Sequence, residues 1–369
     1  MNKRISTALV CALTFGFSAQ GALPAPSGKR LIQTSPETSS WMDEAQIREL
    51  TLNMHKRGGA CPGFVDITDF QDVQPLNLMP LDFFSYRAPS QQETVKAALP
   101  LVSSDEMTKT VTKLSSYPTR LYTTDTGKQA AEWIHGEFTR LAAEAGRKDV
   151  KVSFFEHKWK QPSVIAEIPG TDQADELVVL GAHEDSINMS NPSAPGADDD
   201  ASGVATVMEV FRVLMKTGYK PKRTIQFMTY AAEEVGLFGS QDIAKSYQKA
   251  GKKVVGALQF DMTMFPGSGK TLVFIVDYVN PELTKFTEAL VDEYVKIEWK
   301  EDKCGYGCSD HASWNRAGYA SVFPFEALFD DSNSKIHSKN DLLGILDPTF
   351  GAKFAELGVA YAIELGSTK

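Results

Sequence analysis

Between residues 126 and 365 the apolar positions recur with two different periods that alternate along the chain. Ala130, Trp133, Ile134, Phe138 and Leu141 fall at helical spacing, as do Val204, Val207, Met208, Val210, Phe211 and Leu214. The spacing predicts helices over 126–141 and 201–216, with further helices over 239–249, 281–295 and 352–365. Strands separate them: the short apolar run 177–181 reads as a buried strand, and 223–231, 254–262, 272–276 and 320–325 read as further strands. Such alternation predicts an α/β fold, a single three-layer α/β/α domain around a mostly parallel central sheet. In such sheets ligands bind beyond the carboxyl ends of the strands.

The N-terminal part follows neither period. Residues 1–22 open with Lys3 and Arg4, continue with an apolar run over 5–19, and close with small residues at Ala19, Gly21 and Ala22. This is the pattern of a signal peptide, and the run is shorter than the roughly 20 residues of a membrane span. The chain is therefore expected to be secreted, to the medium or a periplasm, with no stable membrane insertion. Residues 23–87 are rich in Pro, Ser, Gly and Thr and offer one short helical stretch, over 42–54. They read as a pro-segment or a small appendage, a unit over 23–87 with a boundary near Ala88-Pro89, leaving 88–369 as the main domain.

Composition changes the picture in two places. A hydrophobic content of 42% in 369 residues supports a sizeable core, and a net charge of −9 without a Lys/Arg cluster argues against nucleic acid as a partner. Of the four cysteines, Cys11 leaves with the signal and Cys61 stands alone. Cys304 and Cys308 are four residues apart; export permits a disulfide between them, with two free thiols as the alternative.

The candidate chemistry lies at strand ends. The run 177–181 leads into His183-Glu184-Asp185, the run 223–231 into Glu233-Glu234, and the run 254–262 carries Asp261. Asp198-Asp199-Asp200 opens the helix at 201. Asp185, Asp199, Glu233, Glu234 and Asp261 cannot all ionise in one cleft unaided, because like charges raise one another's pKa. Metal ions fit better than protons, since His183 and His337 accompany the acids and a ligating His commonly gives its second nitrogen to a carboxylate, here Asp185. Three carboxylates (Asp199, Glu234, Asp261) and a hydroxide balance two divalent ions, with zinc, manganese or cobalt all compatible with the donors. Capping of the helix by the Asp run is the competing structural explanation for that segment. His55, His135 and His157 read as surface or structurally satisfied residues, and His311 as a residue placed just behind the site.

Six stretches taken in order carry a resemblance: GAHEDS (181–186), PGADDDASG (195–203), YAAEEVGLFGSQ (230–241), QFDMT (259–263), CGYGCSDHASW (304–314) and IHSKND (336–341). They resemble the secreted two-zinc aminopeptidases of the bacterial leucyl aminopeptidase type, over essentially all of 88–369. The resemblance implies that Asp199 bridges two zinc ions, that Glu234 and His337 complete one and His183 and Asp261 the other, that Glu233 is the general base, and that Asp185 orients His183. It also implies a Cys304–Cys308 disulfide with Tyr306 near the substrate, and a removable propeptide. Met262, Ile275, Phe323, Phe325, Phe329 and Ile336 either line a pocket for a Leu-like first side chain or pack in the core. Glu184 departs from the Leu common at its position and is expected to point away from the metals. The expected partners are peptide or protein N-termini, and the chain is expected to be a monomer. Competing readings are a carboxypeptidase, an aminoacylase or a one-zinc glutaminyl cyclase on the same scaffold, and a non-catalytic binding protein. No G-x-S-x-G elbow supports a serine nucleophile.

Overall fold

The structure, a computed structural model, describes residues 26–56, 63–73 and 86–367. The signal peptide expected over 1–22, Cys11, Cys61, the side chain of His55 and parts of the expected propeptide lie outside the described residues.

The strands are, in chain order, β1 (Arg30–Ser35), β2 (Thr38–Met42), β3 (Val65–Asp66), β4 (Lys151–Phe155), β5 (Ser163–Ile168), β6 (Gln173–His183), β7 (Arg223–Tyr230), β8 (Lys253–Gln259), β9 (Leu272–Ile275), β10 (Trp299–Asp302) and β11 (Ser321–Phe325). The helices are α1 (Glu44–Lys56), α2 (Gln92–Ala98), α3 (Ser104–Leu114), α4 (Asp125–Glu144), α5 (Ala201–Thr217), α6 (Phe238–Lys249), α7 (Pro281–Leu290), α8 (His311–Arg316) and α9 (Pro348–Ser367). Eight strands form the central sheet in the order β10-β9-β11-β8-β6-β7-β5-β4. The four in the middle, β11, β8, β6 and β7, are parallel, while β9 runs antiparallel to β11, and β5 is antiparallel to both β7 and β4.

Strand alternation divides the core between two layers of helices. Val178, Leu180 and Ala182 of β6 pack in one cluster with α5 and α9, whereas Leu177 and Val179 pack with Ile243, Tyr247 and Trp314 from α6 and α8. Each buried Leu or Val contributes about 1.5–3 kcal/mol. Helix α5 is buried from Ala201 to Met215; Asp200 caps it by accepting from Gly203 N at 2.8 Å, and Gly218 at φ +64° ends it in the left-handed region. This is the three-layer α/β arrangement expected from the alternation of periods.

Several elements differ from the sequence reading. The helix expected over 281–295 is α only to Leu290, and Val291–Val295 form a wider π turn. The strand expected to run to 262 stops at Gln259, because Met262 turns to φ +62° and donates its N–H to Asp200. Residues 26–56 and 63–73, where only the helix over 42–54 was expected, hold that helix as α1 and also a three-stranded antiparallel sheet (β2-β1-β3). Those strands are short and only Ile32 of β1 is fully buried, so they leave little periodic signal. The segment packs on the start of α6 and the turn before it: Asp66 N donates to Gly236 O at 3.3 Å, and Gln241 Nε2 donates to Asp66 O at 3.0 Å.

Candidate active site

Register places the chemistry. In the parallel pairing His183 lies opposite Tyr230 and Gly181 opposite Gln259, so the strand ends that lead to Asp185, Glu233 and Asp261 meet at one edge of the sheet. The cap of α5 ties two of these ends, those of β6 and β8, to the helix: Asp200 accepts from His183 N at 3.1 Å and Met262 N at 3.0 Å, in addition to Gly203 N. His183, Asp185, Asp199, Glu233, Glu234 and Asp261 are at most 3% exposed.

Two groups of ligand atoms form there, His183 with Asp199 and Asp261, and Asp199 with Glu234 and His337. Asp199 is common to both and divides its oxygens between them. Oδ1 stands 3.0 Å from His183 Nε2, and Oδ2 stands 2.9 Å from His337 Nε2. His183 Nε2 is also 3.5 Å from Asp261 Oδ1, and His337 Nε2 is 2.8 Å from Glu234 Oε2. A test of fit for metal is whether these buried donors are otherwise used. The carboxylate oxygens of Asp199 and Glu234 and both ring nitrogens of His183 make no hydrogen bond, although they are buried. Imidazole and carboxylate donors left open in this way suit zinc.

Glu233 belongs to neither group, and both its carboxylate oxygens are buried without hydrogen bonds. Burial pushes its carboxyl well above the usual range, with Asp310, Asp261 and Glu234 adding to the shift against the opposing effect of His183. Burial likewise moves Glu234 up to about 7. For Asp199 burial acts in the same direction, but His183 and His337 outweigh it and hold the carboxyl well below the usual range. Asp185 faces His183 Nδ1 at 3.4 Å and accepts the backbone N–H groups of Glu233 (3.0 Å) and Glu234 (3.3 Å).

Beside these groups Met262, Ile275, Tyr306, Phe323 and Phe325 form one buried apolar cluster, with Phe329 and Ile336 packed against it. All seven residues singled out for the pocket are thus brought together. Cys304 and Cys308 form a disulfide with Tyr306 between them. Glu184 points away from the ligand groups: its carboxylate is buried, accepts from Thr229 Oγ1, and is raised well above the usual range by burial. His311 is placed against the pocket rather than behind a ligand, stacking on Phe323 at 4.7 Å, and burial lowers its pKa to about 3. His157 lies past the end of β4, buried and satisfied by Asp242 and Ser163, and His135 stacks on Phe154.

The sequence reading assigned no role to Asp341 or Arg120. Asp341 ends the quoted IHSKND stretch, and its carboxylate accepts from Asp198 N (3.1 Å) and Asp199 N (3.1 Å). Arg120 carries no motif that marks it out.

Residues 163–362 match the model of "Peptidase family M28". The chain belongs to peptidase family M28. Among curated relatives in and around the family, it is 40% identical over 348 residues to a probable leucine aminopeptidase of Arthroderma otae, covering 93% of this chain and 94% of that protein. It is 39% identical over 354 residues to leucine aminopeptidase 1 of Trichoderma harzianum, covering 91% and 87%. Among solved structures, the LapA aminopeptidase of Legionella pneumophila superposes with a TM-score of 0.83 at 32% identity, over 92% of this chain and 99% of that one. A zinc aminopeptidase of Bacillus subtilis, at 15% identity and TM-score 0.61 over 73% of this chain and 96% of that one, shares the M28 fold. Among the described residues no helix is long and apolar enough to cross a membrane.

Proposed function

We propose that this zinc-dependent aminopeptidase removes the N-terminal residue of peptides, preferably Leu or another large apolar residue, with two zinc ions and Glu233 as general base. One observation carries the reading: the two oxygens of Asp199 belong to two different ligand groups. Asp199 would bridge the ions, with Glu234 and His337 completing one site and His183 and Asp261 the other. When bound, the ions supply Lewis acidity for the scissile carbonyl and the attacking water, and positive charge that lets Glu233 ionise.

Glu233 then accepts the proton of the attacking water and returns it to the leaving amine. Its freedom from both ligand groups supports that role. Asp185 orients His183 and holds the backbone of Glu233 and Glu234. The cluster around Met262, Ile275 and Phe323 receives the first side chain and excludes water from it. Names of the relatives, leucine aminopeptidases, agree with an apolar first residue.

Residues 1–22 would direct export and 23–87 would be a propeptide, removed from a secreted monomeric enzyme. Contact of Asp66 with Gly236, three residues after Glu233, suits a segment that restrains the site until removal. Processed, zinc-loaded protein is incubated with a leucyl peptide and its N-acetylated twin, with and without chelator. Loss of leucine from the free-amine peptide alone, blocked by chelator, is the expected result. Cleavage of the acetylated twin, or none of either, would overturn it in favour of another reaction on this scaffold.

A further inference from the structure

Arg120 is fully buried between α3 and α4, and none of its hydrogen-bond partners among the described residues is a carboxylate. The guanidinium donates only to main-chain carbonyls. Nε reaches Glu184 O at 2.9 Å, Nη1 reaches Pro195 O and, at 3.3 Å, Leu114 O, and Nη2 reaches Gly196 O at 2.9 Å. A buried cation is costly unless charge of opposite sign lies near. Burial lowers the pKa of this guanidinium, while Asp341, Asp200, Asp185 and Asp199 act to restore it.

The carbonyls it binds are not random ones. Glu184 lies between His183 and Asp185, and Pro195-Gly196 lead into Asp199. Gly196 sits at φ +53°, and a Cβ there would come within 2.9 Å of Arg120 Nη2 and 2.4 Å of Asp199 O, so the backbone passes directly over the guanidinium. On the other side Asp341 takes the amides of Asp198 and Asp199, and Ser186 Oγ links Arg120 N (3.0 Å) to Ala194 O (2.7 Å). The stretch 194–199 is therefore gripped through its carbonyls by a buried cation and through its amides by a buried anion.

We propose that Arg120 is a positioning residue of the metal centre, tying the carbonyl between His183 and Asp185 to the carbonyls that precede Asp199 and so fixing the separation of the two ligand-bearing segments. The inference rests on the ligand roles proposed above. It requires the planar fork of Arg, because a lysine ammonium keeps the charge but cannot span carbonyls of both segments in one plane.

The test uses the full chain as wild type, Arg120→Lys and Arg120→Met. Zinc stoichiometry and affinity are measured by competition with a chromophoric chelator, and the metal-free forms are compared by thermal unfolding. For Arg120→Lys the expected result is a folded metal-free protein whose zinc affinity is weaker by about 10–100-fold, with activity returning as zinc is raised. Wild-type zinc affinity in Arg120→Lys, whatever its melting temperature, would overturn the inference and leave Arg120 a support of the fold alone. If Arg120→Met does not fold, Arg120→Lys decides. Fewer than two zinc ions on the wild type would overturn the two-ion reading itself; two ions with unchanged Arg120→Lys affinity would overturn only the role of Arg120.

Discussion

Asp185 Oδ1 accepts the backbone N–H of Glu233 at 3.0 Å, and the same oxygen stands 3.4 Å from His183 Nδ1. One carboxylate thus couples the orientation of His183 at the end of β6 to the main chain that follows β7. Asp185→Asn keeps the size but removes the charge and one acceptor oxygen. Expected is a loss of zinc affinity of about 10–100-fold, measured by chelator competition, together with a lower kcat at saturating zinc.

Glu233 and His337 should separate chemistry from binding. Glu233→Ala is expected to lower kcat by roughly 10²–10⁴-fold with zinc content nearly intact, since Glu233 lies in neither ligand group. His337→Ala is expected to lose metal and activity together. Metal analysis alongside turnover checks both, and metal loss from Glu233→Ala would make that residue a ligand.

A pH effect on stability is expected outside the candidate ligand groups. Glu288, buried on α7 near Glu301, is pushed up to about 7, first by burial and then by Glu301 and Asp292 against the opposing Lys285. A carboxyl raised in the folded state favours folding below its unfolded pKa, and that contribution is lost as pH rises through about 7. Glu288→Gln should therefore melt higher than wild type at pH 8, by roughly 2–4 °C, and close to it at pH 4. Thermal scans at the two pH values check the sign.

Gly203→Ala tests the cap that joins the strand ends. Alanine is the better helix former by about 1 kcal/mol. Here, however, its Cβ would meet Asp200 Oδ1 and Phe260 O, both at 2.4 Å. Displacing Asp200 releases the amides of His183 and Met262. The expected outcome is a net destabilisation on the order of 1–3 kcal/mol by denaturant unfolding, with weaker zinc binding.

The parts legible in the sequence are those with a strong period or a chemical anomaly. Helix α5, the second half of β6, β7 and nearly all of β8 are buried, and apolar residues dominate α5 and the run Leu177–Ala182. The acids at their ends violate the pattern and so mark the site. Strand β5 went unread, being a short run of six residues, and the strand read around His157 ends at Phe155, as β4, which is largely exposed and carries little periodic signal. Helices α2 and α3 mix polar residues with few apolar ones. Arg120 was illegible for another reason: its partners are main-chain carbonyls, which no side-chain pattern encodes. Asp341 acts through amides in the same way, which is why its place in a matching stretch gave it no role.

Ile275 and Phe323 face each other as direct partners on the antiparallel pair β9–β11. This wall of the apolar cluster is therefore part of the sheet and not of a loop. Its contour inherits the stiffness of hydrogen-bonded backbone, unlike the parts of the cluster that Tyr306, Phe329 and Ile336 supply from outside the strands. If the cluster receives the first side chain as proposed, a change of preference at this wall comes by exchanging side chains on paired strands, where a volume added at one position has to be removed at its neighbour.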